Sequence, residues 1–286
     1  MDSQNMNILE RIHASYYQLT AAERRVADYV LAQNTEVQFM SITQLADECG
    51  VAEATISRFC RSLKLKGFNA FKIALAKHSV AAASTPKNAA QPPEAGTTEG
   101  RCHESGRLAQ EAISQTIELV DPNQVLRVVE LFEKAKRVMC IGAGGSMIMA
   151  QECAHLFSTV CGKFYAVSDS HLQMSAAASM GPEDVILLFS YSGATTNVLE
   201  VLELARERGI NTVLVTRIHK SPAAKLADHV LRCGSNEGPF QFGSVPARVA
   251  QLVLIDVLFR EYYHRNTEQC EEQVQRIASA LSGKHV

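Results

Sequence analysis

Through residues 1–79, apolar side chains recur every three or four positions, which is the spacing of amphipathic helices. One such set predicts a first helix and comprises Ile8, Leu9, Ile12, Tyr16 and Leu19. The segments Thr20-Ala-Ala-Glu23 and Ser41-Ile-Thr-Gln44 each fit the capping box that begins a helix. The first part of the chain is therefore predicted to be all-α.

The helix that begins after Ser41 is short, and Gly50 is predicted to end it. A further helix over residues 53–63 follows a tight turn, which is the spacing of a helix-turn-helix motif. The interior between the two helices is predicted to hold Leu45, Ala46, Val51, Ile56, Phe59 and Leu63. The second helix is then expected to direct outward Glu53, Thr55, Ser57, Arg58 and Arg61.

From residue 104 onward the pattern changes, because short apolar runs alternate with helical segments. After two leading helices at about 104–120 and 122–136, strands are predicted at 137–142, 163–167, 184–190, 211–216 and 229–232. Helices are predicted between and after them at 145–161, 170–180, 195–209 and 221–228. This alternation predicts an α/β domain with a five-stranded parallel sheet flanked by helices.

Two apolar helices are expected to close the chain. The first, over residues 246–264, is apolar on most sides and would suit the core or a dimer interface.

Residues 80–103 are rich in Ala, Pro, Ser, Thr and Gly and show no apolar periodicity. Such a composition is typical of a flexible linker. The chain is thus predicted to contain a helix-turn-helix domain at 1–79, a linker at 80–103 and an α/β domain at 104–286.

The chain has 286 residues, a net charge of −2 and 47% hydrophobic residues, which describes a globular protein. Its eight cysteines form no CxxC pair and mostly lie within apolar patterns, which is typical of free buried thiols. Without a signal-peptide pattern or a long apolar run, a cytoplasmic protein that does not associate with a membrane is expected. No metal site and no cofactor are predicted, because the histidines lack ligand spacing.

Charge is distributed unevenly over the first domain. Residues 54–78 carry six basic side chains and no acidic one, whereas residues 1–53 are net negative. A local concentration of Lys and Arg on a helix-turn-helix motif predicts contact with DNA phosphates, while side chains near the helix start reach base edges. The alternative is a solvated helical face inside a structural bundle.

Two predicted strands end in small residues that lead into helices, namely Gly142-Ala-Gly-Gly-Ser146 and Ser190-Tyr-Ser-Gly-Ala-Thr-Thr196. The first backbone N–H groups of a helix lack intrahelical partners and favour anions, and hydroxyls add donors. Because the carboxyl ends of parallel strands meet at one edge, a neutral cradle for a small phosphate is predicted there. The alternative is an ordinary strand-to-helix turn with Ser as the cap.

These two segments resemble the phosphosugar-binding loops of the sugar isomerase (SIS) domain, and the whole chain resembles the RpiR family of bacterial transcriptional regulators. Further matching segments are SDSHLQM (168–174), SPAAKLAD (221–228) and GSVPARVAQLVLIDVLF (243–259). The resemblance implies a helix-turn-helix domain followed by a SIS domain, with no catalytic activity of its own.

For the effector, the resemblance implies that Ser190, Ser192 and Thr195 bind the phosphate and that Gly193 lets the backbone approach. Ser146, after Gly144, supplies the hydroxyl of the first loop. Asp169 and His171 are candidates for contact with sugar hydroxyls, although Asp169 equally suits a helix cap and His171 a solvated position. Two further residues are candidates for closing the pocket, Glu237 and Arg248.

For DNA, the resemblance implies that helix 53–63 is the recognition helix. The expected contacts are Glu53, Thr55, Ser57, Arg58, Arg61, Lys64 and Lys66. The chain departs from the family pattern at Ala52, where Ser is usual, and at Leu63-Lys64-Leu65, where Leu-Gly-Phe is usual.

The function predicted on this basis is a DNA-binding regulator of carbohydrate metabolism that forms a homodimer or homotetramer through the SIS domain. A sugar phosphate would bind that domain and modulate binding to a double-stranded operator. Two alternatives stay open: a phosphosugar isomerase, and a phosphosugar-binding regulatory protein that does not bind DNA. The resemblance implies that an isomerase with this domain would carry a Glu as general base in helix 246–264. The first half of that helix contains no carboxylate, which disfavours the isomerase, although His171 is available as a substitute base.

Overall fold

The computed structural model describes residues 8–38, 40–82, 97–234 and 245–282. Contacts within the chain divide these residues into two compact units. The first unit holds the described residues up to Glu104, and the second holds those from Ser105 onward.

The regular secondary structure in the described part of the first unit is entirely helical. The elements are α1 (Ile8–Ser15), a 3₁₀ turn (Tyr16–Gln18), α2 (Ala21–Ala32), α3 (Asn34–Val37), α4 (Ile42–Cys49), α5 (Glu53–Ser62) and α6 (Phe68–Ala82). The predicted helix-turn-helix pair is α4 and α5, joined through Gly50 in the left-handed conformation (φ 59°). The prediction of an all-α first domain is confirmed.

Both predicted capping boxes are present. The Thr20 backbone N–H donates to Glu23 Oε2 at 2.9 Å, and the Glu23 N–H donates back to Thr20 Oγ1 at 3.4 Å. The Ser41 and Gln44 pair makes the same exchange at 2.7 and 3.1 Å. Each box satisfies N–H groups that the first turn of a helix leaves without partners.

The core of the first unit is formed by the apolar stripes of its helices, which are buried on their facing sides. Its fully shielded members include Ile12, Val26, Val30, Leu45, Ile56, Phe59, Phe71 and Leu75. The rings of Phe59 and Phe71 meet edge to face, with centroids 5.5 Å apart. The predicted packing of α4 against α5 is therefore confirmed, with Val51 only partly buried.

The second unit is an α/β fold. Its helices are α7 (Thr98–Leu119, counted with the first unit up to Glu104), α8 (Pro122–Lys134), α9 (Gly145–Ser158), α10 (Ser170–Ala178), α11 (Thr196–Arg208), α12 (Pro222–Leu226), α13 (Val245–Arg265) and α14 (Thr267–Leu281). Its strands are β1 (Val138–Gly142), β2 (Phe164–Ala166), β3 (Val185–Phe189), β4 (Asn211–Thr216) and β5 (His229–Arg232). Helices α6 and α7 both extend into the range predicted as linker, of which residues 83–96 lie outside the described residues.

All five strands are parallel, in the order β2-β1-β3-β4-β5, so the predicted sheet is confirmed. In the register of β1 and β3, Gly142 pairs with Phe189, the last residue of each strand. The two loops that follow these strands therefore lie side by side at the carboxyl edge of the sheet.

Helices cover both faces of the sheet, which explains why its central strands are continuously apolar. Alternate strand residues, such as Cys140 and Leu187, pack with α8, α9 and α13 on one face. Their neighbours Ile141 and Leu188 pack with α10, α11 and α12 on the other.

The two closing helices differ from expectation in part. Several residues of α13 are buried in the core, as predicted, while Leu252 is 42% exposed. The prediction that the last helix is also apolar is wrong, because α14 buries only Cys270 and leaves Val274 and Leu281 43% and 41% exposed. Its sequence, TEQCEEQVQRIASAL, is mostly polar.

Within the described ranges, no helix combines the length and apolarity that a membrane crossing requires.

Candidate functional site

We call residues 142–146 the first serine loop and residues 190–196 the second serine loop. In the first, Gly144 has a positive φ of 55°, which turns the chain directly into α9. The Ser146 N–H donates to Ala143 O and the Met147 N–H to Gly144 O, both at 3.1 Å. This tight turn leaves Ser146 half-buried beside the carboxyl end of β1.

Gly142 requires the absence of a side chain. A Cβ atom at this position would lie 2.8 Å from the backbone carbon and oxygen of Ser146, closer than real Cβ contacts allow. The start of α9 is therefore packed directly on the last residue of β1.

In the second serine loop, Ser190 is buried and its N–H donates to Val215 O of β4 at 3.0 Å. Its Oγ lies 3.4 Å from Thr195 Oγ1, so two hydroxyls face each other across the mouth of the loop. Ser192 is half-buried, and its Oγ accepts a hydrogen bond from the Ala194 N–H at 3.3 Å. Two of the predicted phosphate-binding hydroxyls, those of Ser190 and Thr195, are thus brought together at the start of α11, and Ser192 lies in the same loop.

Gly193 fixes this loop against the next one. Its φ is 59°, and a Cβ atom here would lie 2.0 Å from Ser221 Oγ and 2.5 Å from Ser221 Cβ. The Ala223 N–H also donates to Gly193 O at 2.9 Å. The prediction that Gly193 lets the backbone approach the phosphate stays a prediction. Within the chain, the group that lies against Gly193 is the buried Ser221 at the start of α12.

The end of β4 supports the second serine loop from the other side. Tyr191 O accepts hydrogen bonds from Thr216 Oγ1 and from the Arg217 N–H, both at 3.1 Å. Thr216 and Ser221 are buried, and neither was identified from the sequence. Their partners lie some 25 residues away along the chain, so no local pattern marks them.

Gln173 is the other residue that the sequence reading missed. It is 1% exposed and donates from Nε2 to Gly142 O at 3.1 Å and to Val167 O at 2.8 Å, while its Oε1 accepts from Asn197 Nδ2. The sequence does contain one signal, because Gln173 lies one helical turn before Ala177 on the side of α10 that is buried. A polar residue on a buried stripe requires hydrogen-bond partners.

The remaining effector candidates are less closely tied to the loops. Asp169 caps α10, because its Oδ1 accepts from the Leu172 N–H at 2.9 Å, and His171 is exposed. Arg248 is half-buried in the first turn of α13, and no described contact joins it to either serine loop. Glu237 lies outside the described residues.

On α5, the helix that is predicted to recognise DNA, Glu53, Arg58 and Arg61 are exposed and Ser57 is half-exposed. The expectation that Thr55 faces outward is wrong, since it is 5% exposed. It lies one turn before Phe59 on the buried side of the helix, and its Oγ1 accepts from Arg58 Nη2 at 3.2 Å. Thr55 therefore orients Arg58.

The two departures from the family pattern lie at the two ends of α5. Ala52 is the N-cap and offers no side-chain acceptor. At the other end, Lys64 has a φ of 58°, the left-handed conformation that glycine adopts at low cost. The Lys64 N–H donates to Arg61 O at 2.8 Å and the Leu65 N–H to Cys60 O at 3.0 Å, which completes a Schellman motif.

Lys64 and Lys66 are exposed beside the basic face of α5. Burial acts to raise the pKa of the Glu23 carboxyl, but hydrogen bonds from Thr20 and Ser62 outweigh it, so the pKa of Glu23 is lowered. Glu23 therefore stays ionised beneath α5. No group of three or more metal-ligating side chains is found among the residues that the structure describes.

Comparison with known proteins gives two family matches. Residues 6–82 match the helix-turn-helix domain of the rpiR family, and residues 131–260 match the SIS domain. A helix-turn-helix transcriptional regulator from Caldanaerobacter subterraneus is 32% identical over 257 residues, which cover 88% of this chain and 89% of that protein.

Two further relatives cover nearly the whole chain. The transcriptional regulator HexR of Escherichia coli is 29% identical over 96% of this chain and 94% of its own length. The structure of Vibrio vulnificus NanR complexed with ManNAc-6P superposes with a TM-score of 0.79 at 29% identity, covering 98% of this chain and 100% of that one.

Proposed function

The chain belongs to the rpiR family of helix-turn-helix transcriptional regulators, and on this premise we propose that it couples operator binding to a sugar phosphate. The second unit binds the sugar phosphate at the serine loops. The first unit binds double-stranded DNA through α5. The sugar phosphate changes the affinity of the protein for an operator that controls genes of carbohydrate metabolism. The combination of a helix-turn-helix and a SIS domain supports a sugar-phosphate-responsive regulator.

The observation that carries the effector site is the convergence of the two serine loops at one sheet edge. Gly142 and Phe189 are register partners, and the hydroxyls of Ser190 and Thr195 are 3.4 Å apart. The N-termini of α9 and α11 begin at these loops, so backbone N–H groups and hydroxyls offer donors to a phosphate. The structure of NanR complexed with ManNAc-6P supports a phosphosugar as the ligand class.

The DNA surface consists of the exposed side chains of α5 and the turn that follows it. We assign phosphate and base contacts to Glu53, Ser57, Arg58, Arg61, Lys64 and Lys66, and leave out the buried Thr55. Glu53 Oε1 accepts from Thr43 Oγ1 at 2.5 Å, which links the starts of α4 and α5. Arginines at such positions bind phosphates or guanine edges.

A homodimer or homotetramer formed through the second unit would present two recognition helices to paired half-sites. The exposed apolar residues Ile113, Ile117 and Leu252 are candidates for that contact. Light scattering of the full chain measures the assembly directly.

The isomerase alternative is disfavoured on chemical grounds. The first carboxylate of α13 is Asp256, and its Oδ2 accepts from Arg260 Nε at 2.7 Å on the outer side of the helix. Two relatives that match most of this chain are named as helix-turn-helix transcriptional regulators. A binding protein without DNA affinity would keep the serine loops but lack a functional basic helix.

A thermal-shift screen against sugar phosphates and their unphosphorylated parents tests the effector site. A ligand at about 100 times its dissociation constant stabilises the folded state by roughly 2.7 kcal/mol. We expect Ser192→Asp to abolish the shift, because its carboxylate repels the phosphate. Ser175→Asp, an exposed position on α10, is the matched control and should keep it. A full shift with Ser192→Asp contradicts the site.

A further inference from the structure

Gln173 joins three elements that end at the carboxyl edge of the sheet. Its Nε2 reaches the carbonyl of Gly142 at the end of β1 and that of Val167 after β2, and its Oε1 accepts from Asn197 in the first turn of α11. Gln173 is 1% exposed, and its bond to the Gly142 carbonyl is fully buried. Buried hydrogen bonds of this kind are costly to break.

The amide of Gln173 has one permitted orientation. Both carbonyls need a donor, which is supplied by its NH₂ group, and only its oxygen remains for the Asn197 amide. Reversing the amide would place an oxygen acceptor against two carbonyl oxygens. A glutamate would create the same conflict, so a side-chain carboxamide is required here.

The consequence of these contacts extends into both serine loops. Because Gly142 packs directly on the backbone of Ser146, fixing the Gly142 carbonyl also fixes the start of α9. Asn197 is the second residue after the cap Thr195, so fixing its side chain holds the first turn of α11. One buried amide therefore sets the distance between the two sets of donors.

We propose that Gln173 is a positioning residue that holds the two serine loops in a single geometry, so that one phosphate group engages both. This inference rests on the proposed function, since it assigns a role to Gln173 in binding at the same site. Gln173 itself does not touch the ligand. Its effect is on the dissociation constant of the phosphate and on the coupling between the loops.

The test follows the backbone amide signals of Gly142, Gly145 and Gly193 by NMR while the full chain is titrated with inorganic phosphate. In the wild type, signals from both loops should shift with one dissociation constant. In Gln173→Met, which keeps the volume and loses the hydrogen bonds, the dissociation constant should rise about tenfold. The signals of the first serine loop should then respond less than Gly193.

The matched control is Thr212→Val at the amino end of β4. Thr212 is also buried and exchanges hydrogen bonds with Asp228, at 2.7 Å to its carboxylate and 3.0 Å from its N–H. Thr212→Val should lower the melting temperature without changing the phosphate dissociation constant. If Gln173→Met leaves that constant unchanged, or if Thr212→Val raises it equally, the positioning role is overturned.

A phosphate-free measurement separates this inference from the proposed function. Asn197→Leu removes the donor to Gln173 Oε1 and should shift the Gly142 signal, although Gly142 lies on another strand. If the wild-type signals do not shift with phosphate but Asn197→Leu shifts the Gly142 signal, the proposed phosphate site is wrong and the hydrogen-bonded link through Gln173 is supported. If Asn197→Leu leaves the Gly142 signal unchanged, the link through Gln173 is overturned, whether or not the wild-type signals respond to phosphate.

Discussion

The two proposed functional surfaces of this chain are built in opposite ways. On α5, the groups proposed to face DNA are long charged side chains that project from a helix whose other side forms the core. At the serine loops, the groups proposed to bind the ligand are short hydroxyls and backbone, fixed by contacts with Gln173, Thr216 and Ser221. Substitutions on α5 should therefore change DNA binding without changing stability, whereas substitutions at the serine loops should change ligand binding and stability together.

The largest effect is expected from Gly193→Ala. The added Cβ would lie 2.5 Å from Ser221 Cβ, which rotation of the Ser221 hydroxyl cannot relieve, and φ is positive. We expect a loss of about 3 kcal/mol in the free energy of unfolding together with loss of sugar-phosphate binding. Urea unfolding and calorimetry measure the two effects.

Gly209→Ala, at the end of α11, is the control for that change. Gly209 also has a positive φ in the left-handed region, but an added Cβ would meet only Pro182 Cγ at 3.8 Å, an ordinary contact. It should cost only about 1 kcal/mol. Equal losses in the two variants would mean that contact with Ser221 does not hold the second serine loop.

The next effect concerns the DNA surface alone. Arg58→Ala removes an exposed cation and should weaken DNA binding about tenfold, with a shallower salt dependence. Sugar-phosphate affinity and melting temperature should stay near those of the wild type. Arg276→Ala, an exposed residue of α14, should leave DNA binding unchanged in the same gel-shift series.

The third prediction concerns the ion pair of Arg137 and Asp184, which should stabilise the second unit without affecting the serine loops. Arg137 donates to Asp184 from Nε at 3.1 Å and from Nη2 at 2.7 Å before the amino ends of β1 and β3. This hydrogen bond, opposed by burial, holds the pKa of Asp184 below its usual range. Arg137→Ala should lower the free energy of unfolding by about 1 kcal/mol at pH 7.

The pH dependence of that loss has a definite sign. Since the folded pKa of Asp184 is depressed, the stabilisation is complete above the unfolded value near 3.9 and disappears as pH falls through the folded value. The difference between wild type and Arg137→Ala should therefore shrink below about pH 4. A difference that grows on acidification would contradict this assignment, and sugar-phosphate affinity at pH 7 should not change.

The smallest effects are gains at the ends of α5. Ala52→Ser supplies the missing N-cap, and Lys64→Gly removes the left-handed strain, so each should stabilise the first unit by up to about 1 kcal/mol. Only Lys64→Gly should also weaken DNA binding, because it removes a cation. If neither variant is more stable, the ends of α5 are not the local weakness that their geometry indicates.

What the sequence predicts well is local. The capping boxes of Thr20 and Ser41 depend on residues three positions apart, and the strands on runs of apolar residues, so both were identified with their bounds nearly right. Thr55 was misplaced because its hydroxyl was read as surface chemistry, although its spacing to Phe59 places it on the buried side. The last helix was misjudged because a few apolar residues outweighed a mostly polar sequence.

What the sequence does not predict is set by distant contacts. The hydroxyls of the second serine loop were found from their own pattern, but Ser221 and Gln173 meet the loops only after the sheet has formed. Their partners lie on other elements, 28 and 31 residues away for Gly193 and Gly142. The functional groups of the site can therefore be identified from a short stretch of sequence, whereas their arrangement in space depends on contacts with distant residues.

The central claim is that the two surfaces are coupled, and reciprocity tests it most directly. Calorimetry would measure the dissociation constant of the sugar phosphate found in the screen, with and without the DNA fragment upstream of the chain's own coding sequence. If the two sites are coupled, this constant should change about 5- to 150-fold on DNA binding, and the sugar phosphate should change DNA affinity by the same factor. An equal affinity with and without bound DNA would contradict the account.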